Sequence, residues 1–555
     1  MNQQIFIVKQ FQGENPLEYD VMIVGGGMAG LTAGAFAVDA GYSVLICEKE
    51  NQVGGLINSF DKNGFTFDSG IRAIEDSGIV FPMLKTLGIE IEFVKSRVSL
   101  GIEDKVIHVV SEENLKDYFE LLVSFYPENK DDIEKIINYI KTVMKYMKVL
   151  YGIENPIFKD LKHDRNYLFK LLLPWIGKFL FTIGKINRMN MSVQKQLKMF
   201  TANQSLIDII SQHFFKETPT FFAMSYFSLY LDYHYPLGGT GMIPRKMEEF
   251  CADKKTEIAK NTKIVALDPD HHSVTDGQGK VYFYKKLIWA ADQKFLYQCI
   301  DTGKILDRKT KERTIARKNE IKEKIGGDSV FTLYLSVDLA PSYFSEISNG
   351  HFFYTPFKTG LGEKIYSDLR QLLFVQSRTP TKKNLEQIKI WISKYISYTT
   401  LEISIPVLKD KNLAPAGKTG LILSVLFDYN LCKILDEQGL YNEIKIYIEN
   451  CMIDTLSKSI YPRIRSAIMD RFSYSPLSIA KKTGSSEGAI TGWAFTNKGT
   501  PAVNKMQNVS KSVLTPLDDI FQAGQWTYSP SGLPIAILTG KLAADRVISQ
   551  LKKRK

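Results

Sequence analysis

A glycine motif between two short apolar runs restricts the fold more than any other feature of this chain. The run Tyr19–Val24 leads into Gly25-x-Gly27-x-x-Gly30, a helix-like stretch follows, and Ser43–Glu48 has the pattern of a second strand. Strand, glycine turn, helix and strand within about 30 residues make a βαβ unit. Near-continuous apolar strands are typical of a parallel inner sheet. The motif therefore predicts a Rossmann-like α/β domain.

Each residue of the motif has a distinct part in binding a dinucleotide. Gly25 permits the tight turn, Gly27 lets the backbone approach a pyrophosphate, and Gly30 lets the helix pack closely against the strand. The N-terminus of the helix directs amide groups and a partial positive charge at the phosphates. Glu48 lies at the end of the second strand, where an acid accepts hydrogen bonds from the ribose hydroxyls. These positions predict a bound dinucleotide but do not separate FAD from NAD.

Later segments resemble one family of flavoproteins. They are Gly54-Gly55 just past the acid, Gly64–Gly70, Tyr235–Ile243, Arg471–Trp493 with its three glycines, and Phe521–Pro534. Together with the glycine motif they resemble the phytoene desaturase, carotenoid isomerase and retinol saturase group, within the wider amine-oxidase-like flavoproteins. The resemblance implies FAD as cofactor. It also implies that the last of these segments passes the flavin ring and that the next helix aims its N-terminus at the ring, where reduced flavin carries negative charge.

The motifs and the resemblance together predict a set of cofactor-binding residues. They are Gly25, Gly27, Met28, Ala29, Gly30, Glu48, Lys49, Gly54, Gly55, Leu56, Val265, Gly524, Gln525, Gly532 and Leu533.

The chain departs from the family pattern at two positions. Many relatives carry an acid where this chain has Gln525, and retinol-saturase-like sequences often have His where it has Arg72. Arg72 is a candidate catalytic residue that faces the flavin, or binds an acidic substrate group, through its fixed charge; alternatively it pairs with a nearby acid or an FAD phosphate. Tyr528 is the second catalytic candidate, and simple packing is its alternative.

The spacing of the motifs predicts a discontinuous domain organisation. Residues 15–80, 235–300 and 510–555 form the Rossmann-like FAD-binding domain with its parallel sheet. Residues 81–234 form a helical cap and part of a substrate domain, and residues 301–509 form the rest of this mixed α+β domain. Within the cap, Pro127–Leu150 has the three- and four-residue apolar spacing of an amphipathic helix.

The cap is rich in aromatic residues that lysines interrupt, notably over residues 160–235. Two interpretations are open: an aromatic core of a helical cap, or a cap that lies partly in a bilayer interface with its lysines at headgroup level. Lys170, Pro174, Lys178 and Lys185 interrupt the segment Leu168–Ile186, so we predict no membrane-spanning helix.

The family resemblance predicts an FAD-dependent oxidoreductase acting on a lipophilic substrate. It implies desaturation, saturation or isomerisation of carbon–carbon double bonds in a polyene or isoprenoid. One alternative is an amine oxidase with an aromatic cage to which Trp493, Trp526 and Tyr528 contribute. Another is a non-enzymatic carrier of isoprenoids or prenylated proteins with the same fold.

Composition and the remaining motifs exclude several other classes. The chain has 555 residues and a net charge of +11, which suits an anionic surface, but no nucleic-acid-binding module is recognisable. The spacing of its 7 histidines and 5 cysteines predicts neither a metal site nor a disulfide framework. Gly326-Gly327 and Gly360-Leu361-Gly362 lack the setting of an NAD(P) motif, so we expect a separate electron donor or acceptor. Without a signal peptide in Met1–Asp20, we expect a cytoplasmic protein, with contact to a membrane left open.

Overall fold

The structure is a computed structural model that describes residues 18–376 and 382–554. Residues 1–17, which belong to the segment where we predict no signal peptide, lie outside the described residues. The strands are β1 Glu18–Val24, β2 Val44–Cys47, β3 Ser59–Lys62, β4 Phe65–Asp68, β5 Phe93–Lys95, β6 Val98–Ile102, β7 Lys105–Val109, β8 His234–Pro236, β9 Glu257–Ala259, β10 Ile264–Asp268, β11 Ser273–Asp276, β12 Val281–Trp289, β13 Ser329–Val337, β14 His351–Thr355, β15 Leu401–Ser404, β16 Thr419–Phe427, β17 Ile468–Tyr474 and β18 Ile520–Gln522.

The helices lie among these strands along the chain, with a consecutive run of helices between β7 and β8. They are α1 Met28–Asp39, α2 Val80–Leu87, α3 Leu115–Phe125, α4 Lys130–Leu150, α5 Leu173–Ile186, α6 Val193–Lys198, α7 Gln204–Ser211, α8 Thr220–Met224, α9 Tyr226–Asp232, α10 Met242–Asp253, α11 Gln293–Cys299, α12 Arg308–Lys322, α13 Pro341–Ser345, α14 Gly362–Gln376, α15 Lys382–Tyr398, α16 Tyr429–Glu437, α17 Tyr441–Ser457, α18 Pro476–Thr483 and α19 Leu533–Arg554.

The first sheet is built from three distant parts of the chain. Its order is β10-β11-β12-β1-β2-β9, and β18 also pairs with β12. The strands β2, β1, β12 and β18 are parallel to their neighbours in this series. All four residues of β2 are buried, as a strand covered on both faces requires. The sheet is therefore complete only when β18, residues 520–522, pairs with the strands from residues 18–47 and 257–289.

Two helices from opposite ends of the chain cover one face of this sheet. Helix α1 is buried from Met28 to Val38, and α19 packs against it. The two backbones approach so closely that a Cβ on Gly540 would lie 2.4 Å from the carbonyl oxygen of Ala29. Glycine at position 540 thus allows the C-terminal helix to seal the dinucleotide-binding unit.

The second sheet has the order β17-β13-β16-β15-β14-β6-β7. It is antiparallel except where β14 runs parallel to β6. Helices α15 and α17 bury its outer face through apolar residues such as Ile392 and Met452, which belong to the same core as Phe331 and Leu333. The inner face of this sheet borders the space between the two sheets.

The aromatic and apolar residues of the cap fall into a buried group and an exposed group. Helix α4 buries the predicted stripe, which comprises Ile133, Ile136, Ile137, Ile140, Val143, Met144, Met147 and Leu150. Phe227, Tyr230 and Tyr233 join that core. By contrast, Phe169, Leu180 and Phe181 are 60%, 60% and 69% exposed. The aromatic core and the exposed apolar face therefore coexist, in different parts of the cap.

The segment Leu168–Ile186, whose apolar run is interrupted by lysines and a proline, lies within one continuous helix. A π-helical turn over Tyr167–Leu172 runs directly into α5, and Pro174 follows this turn. In the described part of the chain this is the one helix whose length and mean hydropathy of 1.3 would allow it to cross a membrane.

Candidate functional site

The glycine loop leaves an open space at the start of α1. Gly25 has a φ of +106°, and a Cβ there would lie 2.8 Å from the carbonyl oxygen of Ala290. A Cβ on Gly30 would lie 1.9 Å from the carbonyl oxygen of Gly25, so Gly30 is required for packing of helix on loop. At Gly27, no atom of the described residues other than its two chain neighbours lies within 4 Å of an added Cβ. The loop thus packs tightly on one side and stays open at Gly27, where α1 begins with unpaired amide groups.

Glu48 lies beside this opening at the end of β2. Its Oε2 accepts a hydrogen bond from the amide of Gly26 at 2.8 Å, and its Oε1 accepts one from the amide of Glu50 at 2.9 Å. Burial raises the pKa of Glu48, while these amide donors lower it. Each carboxylate oxygen can accept a second bond, so Glu48 can still bind a ribose hydroxyl.

A cavity of about 630 Å³ extends from the glycine loop to the region between the sheets. Its walls come from the N-terminal βαβ unit, the loop before α19, the inner face of the second sheet and the cap. The predicted cofactor residues that line it are Gly25, Gly27, Met28, Ala29, Glu48, Lys49, Gly54, Gly55, Leu56, Gly524, Gln525, Gly532 and Leu533. The structure therefore brings both ends of the predicted binding motif to one cavity.

Two predicted cofactor residues lie outside the cavity wall. Gly30 packs against the loop, as described above. Val265 has a side chain that is 42% exposed, and it is the adjacent Lys263 and Ile264 that line the cavity. The residue of β10 that faces the cavity depends on the local alternation of side chains along the strand.

The C-terminal loop is held by contacts with the segment before it. Gln525 donates from Nε2 to Ser485 Oγ at 3.4 Å, and a Cβ on Gly492 would lie 2.2 Å from the carbonyl oxygen of Gln525. Gln525 thus joins its loop to the glycine-rich segment 484–492. Gly532 follows in this loop as the residue before α19.

Of the two catalytic candidates, only Arg72 lines the cavity. Tyr528 is buried outside it, and its neighbour Ser529 pairs with Val503 through the backbone. Burial raises the pKa of Tyr528 to about 12. This placement favours the packing alternative for Tyr528.

The residues proposed for an amine-oxidase cage do not meet around the cavity. Trp493 and Trp526 stack edge to face with ring centroids 4.9 Å apart, and Trp493 Nε1 donates to the carbonyl oxygen of Trp526 at 3.0 Å. Of Trp493, Trp526 and Tyr528, only Trp526 lines the cavity. Trp493 therefore packs against the C-terminal loop through Trp526 and not against the cavity.

Sequence reasoning missed the polar residues on the inner face of the second sheet. Thr332, His351, Glu402 and Ser424 line the cavity from four neighbouring strands. His351 Nε2 lies 3.0 Å from Glu402 Oε1. Burial lowers the pKa of His351, while the contact with Glu402 opposes this shift. No short motif marks these residues, since they are brought together only by pairing of distant strands.

Glu75 is a further carboxyl group on the cavity wall that the sequence did not single out. A Cβ on Gly532 would lie 3.4 Å from Glu75 Oε1, which places this carboxyl at the start of α19. Burial raises the pKa of Glu75 to about 7, with a further contribution from the negative charge of Asp232.

We expect Glu75 to make the apoprotein less stable as the pH rises. Its folded-state pKa lies above the ordinary value of about 4.3, so the folded state holds a proton that the unfolded chain loses first. Glu75→Gln should therefore unfold at a higher temperature than wild type at pH 8 and at nearly the same temperature at pH 4, below the pKa of the unfolded chain. Thermal unfolding of both proteins at the two pH values measures this, and a difference that does not change with pH would contradict it.

Comparisons with known proteins agree with this geometry. Residues 23–87 match the model of an NAD(P)-binding Rossmann-like domain. The chloroplastic prolycopene isomerase of Daucus carota is 22% identical over 96% of this chain and 80% of its own length. The 4,4'-diapophytoene desaturase of Staphylococcus aureus is 22% identical over 96% of this chain and 99% of its own length.

A solved structure confirms the fold independently of sequence identity. A double mutant of putrescine oxidase with redesigned cofactor binding superposes with a TM-score of 0.57 and 13% identity, covering 96% of this chain and 99% of its own. The predicted α/β fold class and the predicted relationship to carotenoid desaturases and isomerases are confirmed. The comparisons also support an oxidoreductase with a flavin cofactor.

Proposed function

We propose that this oxidoreductase, a relative of the carotenoid desaturases and isomerases, binds FAD and desaturates, saturates or isomerises carbon–carbon double bonds of a polyene or isoprenoid. One observation carries the proposal: a single cavity connects the glycine loop and Glu48 to the loop before α19, and then reaches an aromatic wall of the cap. When bound, FAD supplies a two-electron acceptor or donor for such bonds. The protein supplies position, charge and exclusion of water.

The residues that line the cavity fit FAD at both ends. Gly27 and Gly55 leave backbone exposed for a pyrophosphate, and the amide of Gly54 donates to the carbonyl oxygen of Gly26 at 2.8 Å, which fixes the two glycine segments side by side. At the far end, α19 begins at the cavity wall, where its N-terminus stabilises negative charge. A cofactor as short as a single mononucleotide would leave one of these ends without a ligand.

The visible spectrum of the purified protein tests this proposal. We expect a yellow protein that releases about one FAD per chain on acid or heat treatment. A protein that stays colourless after addition of FAD would contradict it, and the carrier alternative would then be favoured.

We expect Glu48→Ala to weaken FAD binding by about 10- to 100-fold, the worth of a hydrogen bond to a charged group. The variant loses the acceptor of the Gly26 amide and the acceptor predicted for the ribose. Titration of apoprotein with FAD, followed by quenching of flavin fluorescence, measures the affinity. Glu113→Ala, at an exposed glutamate, is the matched control, and equal affinities for both variants would contradict the role of Glu48.

We also propose that the helix Tyr167–Ile186 lies in the surface of a membrane and takes up substrate there. Its inner side packs along α4, where Trp175 Nε1 donates to the carbonyl oxygen of Val149 and Ile183 and Ile186 contact Leu150. A helix held along its length in this way lies on the surface of the protein, so its exposed apolar side meets the acyl chains in plane. The protein would then be a cytoplasmic enzyme that contacts the membrane and exchanges electrons with a separate donor or acceptor.

A further inference from the structure

A row of polar side chains crosses the inner face of the second sheet. Thr332, Ser424 and Glu402 are direct neighbours across β13, β16 and β15, and Thr332 Oγ1 lies 3.0 Å from Ser424 Oγ. His351 on β14 extends the row through its contact with Glu402, and among the described residues its buried Nδ1 has no hydrogen-bond partner. These residues form a polar floor for the cavity, here called the polar row.

Arg72 joins the polar row to the FAD-binding unit. It is 4% exposed, and its Nη2 donates to Ser424 Oγ at 3.2 Å. Its Nη1 donates to the carbonyl oxygens of Asp68, at 3.0 Å, and Gly70, and its buried Nε has no partner. The acceptors around this guanidinium are thus neutral.

The acids near Arg72 are engaged with other groups. Asp68 accepts hydrogen bonds from Ser59, Tyr235 and Thr240, and Glu402 pairs with His351. Among the described residues, no carboxylate oxygen lies within 4.0 Å of a nitrogen of Arg72. The alternative in which Arg72 pairs with a nearby acid is therefore not observed.

A second buried basic group, Lys409, lies beside Arg72. Lys409 Nζ donates to the carbonyl oxygen of Arg72 at 2.8 Å and to Ser404 Oγ at 2.9 Å. Burial lowers the pKa of Lys409 to about 7, and the charge of Arg72 also lowers it, although Asp68 and Glu402 oppose the shift. A buried guanidinium beside a lysine that is reluctant to ionise is a favourable place for an added negative charge.

An aromatic part of the cavity wall adjoins the polar row, where the ring of Tyr233 stacks on His351 with centroids 5.4 Å apart. Phe215, Phe222, Tyr226 and Tyr233 of the cap line it. A pure hydrocarbon would fit this wall but, among the described residues, would leave the buried Arg72 Nε and His351 Nδ1 without hydrogen-bond partners. An amphiphile with an acidic group matches both sides of the cavity.

We infer that the substrate is a polyene or isoprenoid carboxylate, whose acid group binds Arg72 beside the polar row while its hydrocarbon lies against the aromatic wall. This inference rests on the proposed function, because it places the substrate in the same cavity as FAD. The planar fork of arginine suits a carboxylate, and a charge-assisted pair is strongest where water is excluded.

Binding of two matched probes to the full-length, FAD-loaded protein tests the inference. Farnesoic acid and farnesol share one isoprenoid chain and differ in the acid group, and quenching of tryptophan fluorescence at pH 8 measures the affinity for each. We expect wild type to bind the acid about 10- to 100-fold more tightly than the alcohol. Arg72→Met should remove this preference and leave the affinity for farnesol nearly unchanged, whereas Arg72→Lys should keep part of it.

Ser424→Ala is the control that keeps the charge of Arg72 and removes one hydrogen bond, and it should retain most of the preference. Equal binding of both probes by wild type, or binding of neither, would overturn the inference. Two results with Arg72→Met would also overturn it: a loss of affinity for both probes, or a change in flavin content while the preference for the acid stays intact. FAD content is measured separately, so a colourless protein that still prefers the acid would refute the proposed redox function and leave the acid site standing.

Discussion

A Gly27→Val variant is expected to fold like wild type and to purify without flavin. No protein atom lies within 4 Å of a Cβ at this position, and its φ of −72° is accessible to valine. The isopropyl group would therefore fill only the space that the predicted pyrophosphate occupies. We expect FAD affinity to fall by at least about 100-fold, equivalent to roughly 2.8 kcal/mol, while circular dichroism and the unfolding temperature of the apoprotein stay close to wild type.

Two further glycine variants separate cofactor loss from misfolding. Gly30→Val should lose flavin together with stability, because its Cβ would collide with the carbonyl oxygen of Gly25. Gly184→Val makes the same chemical change at another position with no atom within 4 Å, and it should keep its FAD. If Gly27→Val retained stoichiometric FAD, the glycine motif could not be the pyrophosphate site.

Membrane binding is expected to disappear in a triple variant of the exposed helix face. Phe169, Leu180 and Phe181 are each at least 60% exposed, and burial of such side chains in acyl chains stabilises binding by about 1.5–3 kcal/mol for each residue. Replacing all three with Glu removes this contribution and adds negative charge. Co-sedimentation with vesicles that contain anionic lipid should fall at least about 10-fold, and wild-type binding should be stronger at low salt.

Leu306 provides the matched control for this variant. It is 85% exposed and lies outside the cap, just before α12. Leu306→Glu should co-sediment like wild type. Wild-type protein that binds no vesicles at any salt concentration would refute the membrane proposal, and equal losses in both variants would show a general effect of charge.

The local parts of this structure could be predicted from the sequence. The βαβ unit and α4 follow from periodicity over short stretches, and the glycine loop follows from backbone geometry that few residues other than glycine adopt. Even so, the short strand β11 was not predicted. It lies between β10 and β12, and only four residues connect it to each of them. The charge-dense segment Arg308–Lys322 forms helix α12, and Asp307 caps this helix by accepting a hydrogen bond from the amide of Thr310.

The substrate side of the site could not be predicted. Ser424 meets Arg72 across 352 residues of sequence, and Thr332 meets Ser424 across 92. Such contacts depend on strand register, because a shift of one residue would move every side chain to the other face of the sheet. The cofactor side has short motifs because a phosphate selects backbone geometry, whereas a substrate group selects side chains from whichever strands the fold brings together.

The late completion of the first sheet has a consequence for biosynthesis. β12 ends at Trp289, and its partner β18 begins about 230 residues later at Ile520. While the ribosome makes the intervening chain, part of β12 is an unpaired edge, and α1 lacks the cover of α19. Contacts of such long sequence separation form slowly and leave the nascent chain prone to aggregation. Chaperone binding to the nascent chain would protect this edge, and stable flavin incorporation would mark the end of folding.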